Sequence, residues 1–181
     1  MYQLLVGMAL AITAVLGGGA AQARPSQQDV PASLAVPSGQ VMLLEAAARG
    51  AQVYGCQAKA DDPRAFEWAL KGPDAVLMNS RGEQIGRHYA GPTWEGNDGS
   101  RVVAAARATA DSPDAQAVPW LLLEARSNEG PGVFSAVTFV QRLNTSGGRA
   151  PATGCDQVSV GAEQRVDYTA SYVFYYPSAA Q

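Results

Sequence analysis

Chemistry-bearing residues are scarce in this chain. Among 181 residues there is one histidine, His88, and there are two cysteines, Cys56 and Cys155. A single imidazole excludes a histidine-rich zinc site within one chain. No C-x-x-C is present, so the cysteines do not form the usual metal-binding or redox thiol pair. No G-x-S-x-G elbow marks a hydrolase nucleophile. No G-x-G-x-x-G follows a strand, as a dinucleotide site would need. There is also no basic run or stripe, and the net charge of −3 speaks against nucleic acid as a partner. Beyond the first residues no long apolar run occurs, so no membrane span is expected after that segment is removed.

That first segment reads as a secretory signal, residues 1–23. Leu4–Leu16 is an apolar h-region, and Ala21-Gln22-Ala23 is a small-x-small cleavage site, although no Lys or Arg precedes the run. The expected location is therefore secreted or periplasmic. In such a compartment an even pair of cysteines points to a disulfide, and with two cysteines the pairing is fixed as Cys56–Cys155. Residues 24–39, rich in Pro, Ser, Gln and Ala, read as a flexible N-terminal segment. Residues 40–177 read as a single β-rich domain and residues 178–181 as a tail.

Within the domain, apolar stretches are short and turn residues recur every 8–15 positions. The pattern predicts strands or strand-like runs at 40–48, 51–58, 64–70, 74–80, 84–90, 100–108, 117–126, 132–143 and 164–176. Arg49-Gly50 is read as ending the first and Gly72-Pro73 as separating the third and fourth. Residues 145–155 read as a loop. The last strand is the clearest: Val166, Tyr168, Ala170, Tyr172, Phe174 and Tyr176 alternate with the other parity. The expected fold is mainly β, an antiparallel sandwich or barrel of about eight strands with one disulfide.

The series "VYGCQA", "FEWALKGPDAVLMNSRGEQIGRHYAGPTWEGNDGSRV", "VPWLLLEA", "GVFSAVTFVQRLNTSGGRAPATGCD" and "VDYTASYVFYY" resembles a family of small exported bacterial and fungal proteins catalogued as a domain of unknown function. The resemblance covers about residues 36–177. It implies a single secreted domain and no particular activity. Some fungal relatives carry a malate dehydrogenase label, but the fingerprint of a dinucleotide site is missing here.

The richest stretch is "GRHYAGPTWEGNDGS", residues 86–100. It offers His88, Tyr89, Trp94, Glu95 and Asp98 as candidate ligand-binding residues. An imidazole near carboxylates suits a general base, and a tryptophan with carboxylates suits a sugar. The plainer reading makes His88 a hydrogen-bonded structural residue beside a glycine-rich turn, with Trp94 plugging one end of the core. Trp68 and Trp120 are expected to be mostly buried, and Trp94 is expected to show an edge. Arg142, on an apolar strand, is expected to pair with an acid such as Asp156 or to cap loop carbonyls; the functional alternative is an anion contact.

These observations favour a binding or structural module outside the cytoplasm. Its partner would be a small molecule, a glycan or a protein, and neither cofactor nor metal is called for. Two alternatives stand beside it. One is an extracytoplasmic hydrolase using His88 with Glu95 or Asp98. The other is a protein-interaction domain acting through a sheet edge.

Overall fold

The structure, a computed structural model, describes residues 30–179. The signal segment at 1–23 and the first part of the N-terminal segment lie outside the described residues. Eight strands follow one another in chain order: β1 (Gln40–Ala58), β2 (Phe66–Met78), β3 (Gln84–Tyr89), β4 (Thr93–Gly96), β5 (Arg101–Ala110), β6 (Trp120–Glu129), β7 (Phe139–Gly147) and β8 (Glu163–Pro177). Each pairs with its neighbour, and β1 pairs with β8, so the sheet closes into an up-and-down antiparallel barrel.

Closure follows from side-chain size on the inward faces. β1 presents Ala46, Ala48 and Gly50, and these register with the inward Tyr172, Ala170 and Tyr168 of β8. Small residues opposite aromatic ones let two long strands curl around a narrow interior. Gly50, read from sequence as a stop, instead sits inside the single strand β1. A Cβ there would lie 2.2 Å from the Asp74 carbonyl oxygen, so only glycine permits this approach of β1 to β2. Gly72-Pro73 likewise does not separate two strands. Val53 registers with Gly72 and Tyr54 with Leu70, which leaves Lys71 as the extra residue of a bulge within β2.

The run predicted as a strand from residue 132 is different again. Residues 130–138 form a turning segment that plugs one end of the barrel, with Phe134 and Val137 fully buried. Asp98 and Ser100, just before β5, hold it. Asp98 accepts from the Val133 N–H at 2.7 Å, and the Ser100 hydroxyl accepts from the Phe134 N–H at 3.0 Å. Asn128 donates to the Phe134 and Val137 carbonyls. Above the plug an aromatic column fills the barrel. Phe134 meets Phe174 at 4.8 Å between ring centroids, and Trp94 stands 6.0 Å from Phe174 and 5.3 Å from Tyr172.

A second, smaller core lies outside the barrel wall. Leu34 is fully buried against Trp120, Leu122, Phe139 and Val173. Gln141 fixes it by donating to the Leu34 carbonyl and accepting from the Tyr175 hydroxyl. Residues 32–34, read from sequence as part of a flexible segment, thus form a short 3-10 turn docked on β5, β6, β7 and β8. The continuous apolar run of β6 is explained by the two cores, since Leu121 and Leu123 face inward while Trp120 and Leu122 face the docked segment.

The Cys56–Cys155 disulfide is formed, with Cα atoms 5.3 Å apart. It fastens the end of β1 to the long β7–β8 loop at the end of the barrel opposite the plug. Trp68 Nε1 donates to the Thr153 carbonyl of the same loop, and the Tyr54 hydroxyl donates to the Gly148 carbonyl. Among the described residues no helix is long and apolar enough to cross a membrane.

Candidate functional site

The barrel wall is uneven at the end away from the plug. The β3–β4 hairpin turns early, at Gly91-Pro92, because proline cannot continue a ladder and Gly91 takes a φ of 136°. Pairing of β2 with β3 therefore stops at Asp74–Tyr89, and pairing of β4 with β5 starts at Thr93–Val103. Beyond those points β2 and β5 run on with no strand between them. The result is a notch in the wall. Leu70 to Pro73 form one side, Ala106 stands opposite, and the Gly91-Pro92 turn is the sill.

Behind the notch lies a cavity of about 340 Å³ inside the barrel. Its floor and back are Gln52, His88, Trp94, Leu123, Arg142 and Tyr172. These come from six different strands. Arg142 registers with Leu121 on one side and Tyr172 on the other, both inward-facing, so its own side chain is directed inward. Its Nε donates to the Pro119 carbonyl at 3.0 Å. The rest of the guanidinium lies among Tyr54, Tyr168, Tyr172 and His88, close enough for its charge to act on all four. It forms no ion pair among the described residues, and no Asp or Glu lines the cavity.

His88 is 2% exposed. It stacks on Trp94 with ring centroids 4.3 Å apart and meets Tyr172 edge-on at 4.8 Å. Its Nδ1 is 2.8 Å from the Thr93 carbonyl oxygen, which makes Nδ1 the protonated nitrogen. Burial pushes its pKa down to about 3. The hydrogen bond to Thr93 opposes that shift and the Arg142 charge adds to it. The ring is therefore neutral at any ordinary pH and is far from the value a general base needs near neutrality. Burial likewise raises Tyr172, against the opposing effect of Arg142 and the hydrogen bonds to Tyr168 and Arg142.

Two donors on this cavity have no partner in the structure: Gln52 Nε2 and Trp94 Nε1, both buried. Buried donors are almost always paired, because leaving one unpaired costs about 1–3 kcal/mol. A larger open groove of about 650 Å³ passes Arg49, Asp114, Asn144 and Thr169. There, Asn144 is bonded to the Ser171 hydroxyl and Ser112 to the Thr145 carbonyl. Trp120, which lines that groove, also carries a buried Nε1 without a partner; what sets the barrel cavity apart is an inward arginine without an acid partner beside its two such donors.

The five residues singled out in the 86–100 stretch are divided by the fold. His88 and Trp94 face inward and form the cavity floor. Tyr89 and Glu95 have the other strand parity and lie on the outer wall. There the Tyr89 hydroxyl donates to Glu95 at 2.7 Å, and Arg87 pairs with Glu95 at 3.0 Å. The bond from Tyr89, then that from Arg87, holds the Glu95 carboxyl below its ordinary range. Asp98 is at the far end of the barrel, latching the plug. Its pKa is lowered by the Ser100 hydroxyl and then by the Val133 N–H. Among the described residues no carboxylate is brought to His88.

Trp94 is fully buried, whereas Trp68 is only partly covered, the reverse of the order expected from sequence. Arg142 caps the Pro119 carbonyl, as one of its readings had it, while Asp156 is occupied by Ser159 and the Val158 N–H. Gln52 was not noticed in the sequence. Its signal was available in its inward parity with Ala46, Ala48 and Gly50. Among the described residues no three His, Cys, Asp or Glu side chains converge as a metal site would need.

A family described as protein of unknown function (DUF3455) matches residues 37–176, nearly all of the described chain. No curated protein and no solved structure matches.

Proposed function

The chain belongs to the DUF3455 family, and we propose that this member is a small-ligand binding module, exported from the cytoplasm, whose ligand enters the barrel through the notch between β2 and β5. One observation carries the reading. A cavity open to solvent is lined by an inward arginine without an acid partner and by two buried donors without acceptors. Closed eight-stranded barrels have interiors just wide enough to be filled by side chains or to hold one small ligand. Here the aromatic column fills the half near the plug, and the half near the notch is left open. A volume of about 340 Å³ is at the small end of ligand pockets. Export rests on the 1–23 segment and agrees with the disulfide.

The hydrolase reading finds no support in this geometry. His88 is neutral, buried and without a carboxylate, and Glu95 and Asp98 are engaged elsewhere.

The test is the melting temperature of the purified protein against a set of small soluble compounds, measured beside Ala106→Trp. Ala106 is exposed at the notch, so the indole should obstruct the opening while leaving the fold intact. Compounds that raise the melting temperature of the native protein and not of the variant support the cavity as the binding site. Stabilisation that is equal in both, or absent in both, overturns it.

A further inference from the structure

We infer that the ligand is an anion with a small apolar body, its carboxylate seated on Arg142; this rests on the cavity being a binding site. Arg142 lines the cavity without an acid partner, and Gln52 and Trp94 in its wall each carry a donor that is buried and without an acceptor. The cavity contains no carboxylate, and its remaining cation, Lys71, is paired with Glu163 on the surface at 3.0 Å. A donor-rich, acid-free pocket with one unneutralised guanidinium is complementary to acceptors carrying negative charge.

A neutral sugar is the poorer fit. It would leave the Arg142 charge unanswered, and Glu95 and Asp98, the acids that could bind its hydroxyls, are outside the cavity. The Pro119 carbonyl holds Nε of Arg142 and Tyr172 bonds to the same guanidinium, which together orient the planar group for a further charge-assisted contact with a carboxylate. Leu70, Pro73 and Leu121 supply an apolar wall for the rest of the molecule.

The deciding experiment compares a matched pair, naphthalene-2-carboxylate and 2-naphthylmethanol, by calorimetric titration of the purified protein at low ionic strength. The two differ in charge and little in shape. The carboxylate should bind at least tenfold more tightly. That preference should vanish in Arg142→Met and survive in part in Arg142→Lys, with each variant's melting curve confirming that it is folded. Gln52→Leu provides a second route should the arginine variants fail to fold, with weakening of the carboxylate and little effect on the alcohol. Equal binding of acid and alcohol would overturn the anion inference and leave the cavity reading standing. A carboxylate preference unchanged in Arg142→Met would show that the anion sits elsewhere. Binding of neither compound would count against the cavity itself, and the anion inference would fall with it.

Discussion

His88 makes acid stability a direct probe of this barrel. In the folded protein its pKa is pushed down to about 3, with burial as the main cause; in the unfolded chain it returns to about 6.5. Between those values the unfolded state binds a proton that the folded state refuses. The stability associated with a neutral His88 is therefore complete above about pH 6.5 and drains away as pH falls toward 3. Each unit is worth about 1.4 kcal/mol, so the full loss is on the order of 5 kcal/mol and the loss between pH 7.5 and pH 4.5 is about 3 kcal/mol. The perturbation is His88→Gln, which keeps an N–H for the Thr93 carbonyl and cannot titrate. Urea unfolding of both proteins from pH 7.5 to 4.5 gives the comparison. Carboxylates such as Asp98 also lose stability in acid, but they are common to both proteins and cancel in the difference. Wild type should fall by about 3 kcal/mol more than the variant over this window. Parallel curves would mean that His88 takes up its proton without leaving its place in the fold, against the burial cost assigned to it. Since His88 is the only histidine, its imidazole nitrogen shifts can be read without assignment. They should show a neutral ring protonated on Nδ1 down to pH 4.

Other expectations concern the notch, the plug and the staples. Arg142→Met should change stability by less than about 1 kcal/mol, because the lost bond to Pro119 is offset by removal of an uncompensated half-buried charge; a melting curve checks this, and a large loss would make Arg142 a structural residue. Asp98→Ala should destabilise by about 1–2 kcal/mol and speed amide exchange at Val133 and Phe134, since both N–H groups depend directly or through Ser100 on that carboxylate. Leu34→Ala should cost about 2–4 kcal/mol in urea unfolding if the N-terminal segment is truly docked, and almost nothing if it is loose. Replacing Cys56 and Cys155 together by serine removes a link across a sequence separation of 99. It should cost about 4–5 kcal/mol in the chain-entropy model, read as a drop in urea midpoint.

Sequence patterning reached the class of fold and the pairing of cysteines because both rest on local signals: period-two alternation, turn residues and an even thiol count. It erred where a residue's role is set by a partner far along the chain. Gly50 looks like a stop, yet it is the point where β2 crosses close to β1. The 132–137 run looks like a strand, yet its apolar residues are buried because they close the barrel end. Apolar character reports burial without reporting the element that produces it. From sequence Trp94 is expected to show an edge, since it lies in a stretch rich in glycine and broken at Gly91-Pro92. The break makes a hairpin instead, and β4 returns Trp94 to the interior beside His88.

The candidate site shows the same division at finer scale. Strand parity alone separates His88 from Tyr89 and Trp94 from Glu95, so half of the 86–100 stretch could be assigned inward by counting. Gln52 and Arg142 could not be joined to it that way, since they stand 36 residues before and 54 residues after His88 and meet it only through barrel closure. What that stretch contributes is its brevity as much as its side chains. Gly91-Pro92 ends the β3–β4 hairpin after a few rungs, while β1, β2 and β8 run on. The short hairpin leaves the notch, and its two inward rings make the floor beneath. Lengthening the hairpin by two residues on each side of Gly91 would fill the gap between β2 and β5 with paired strand. That change should raise thermal stability and abolish ligand binding together, because the same missing rungs that weaken the wall are the opening. A lengthened hairpin that still bound ligand would show that entry lies elsewhere on the barrel.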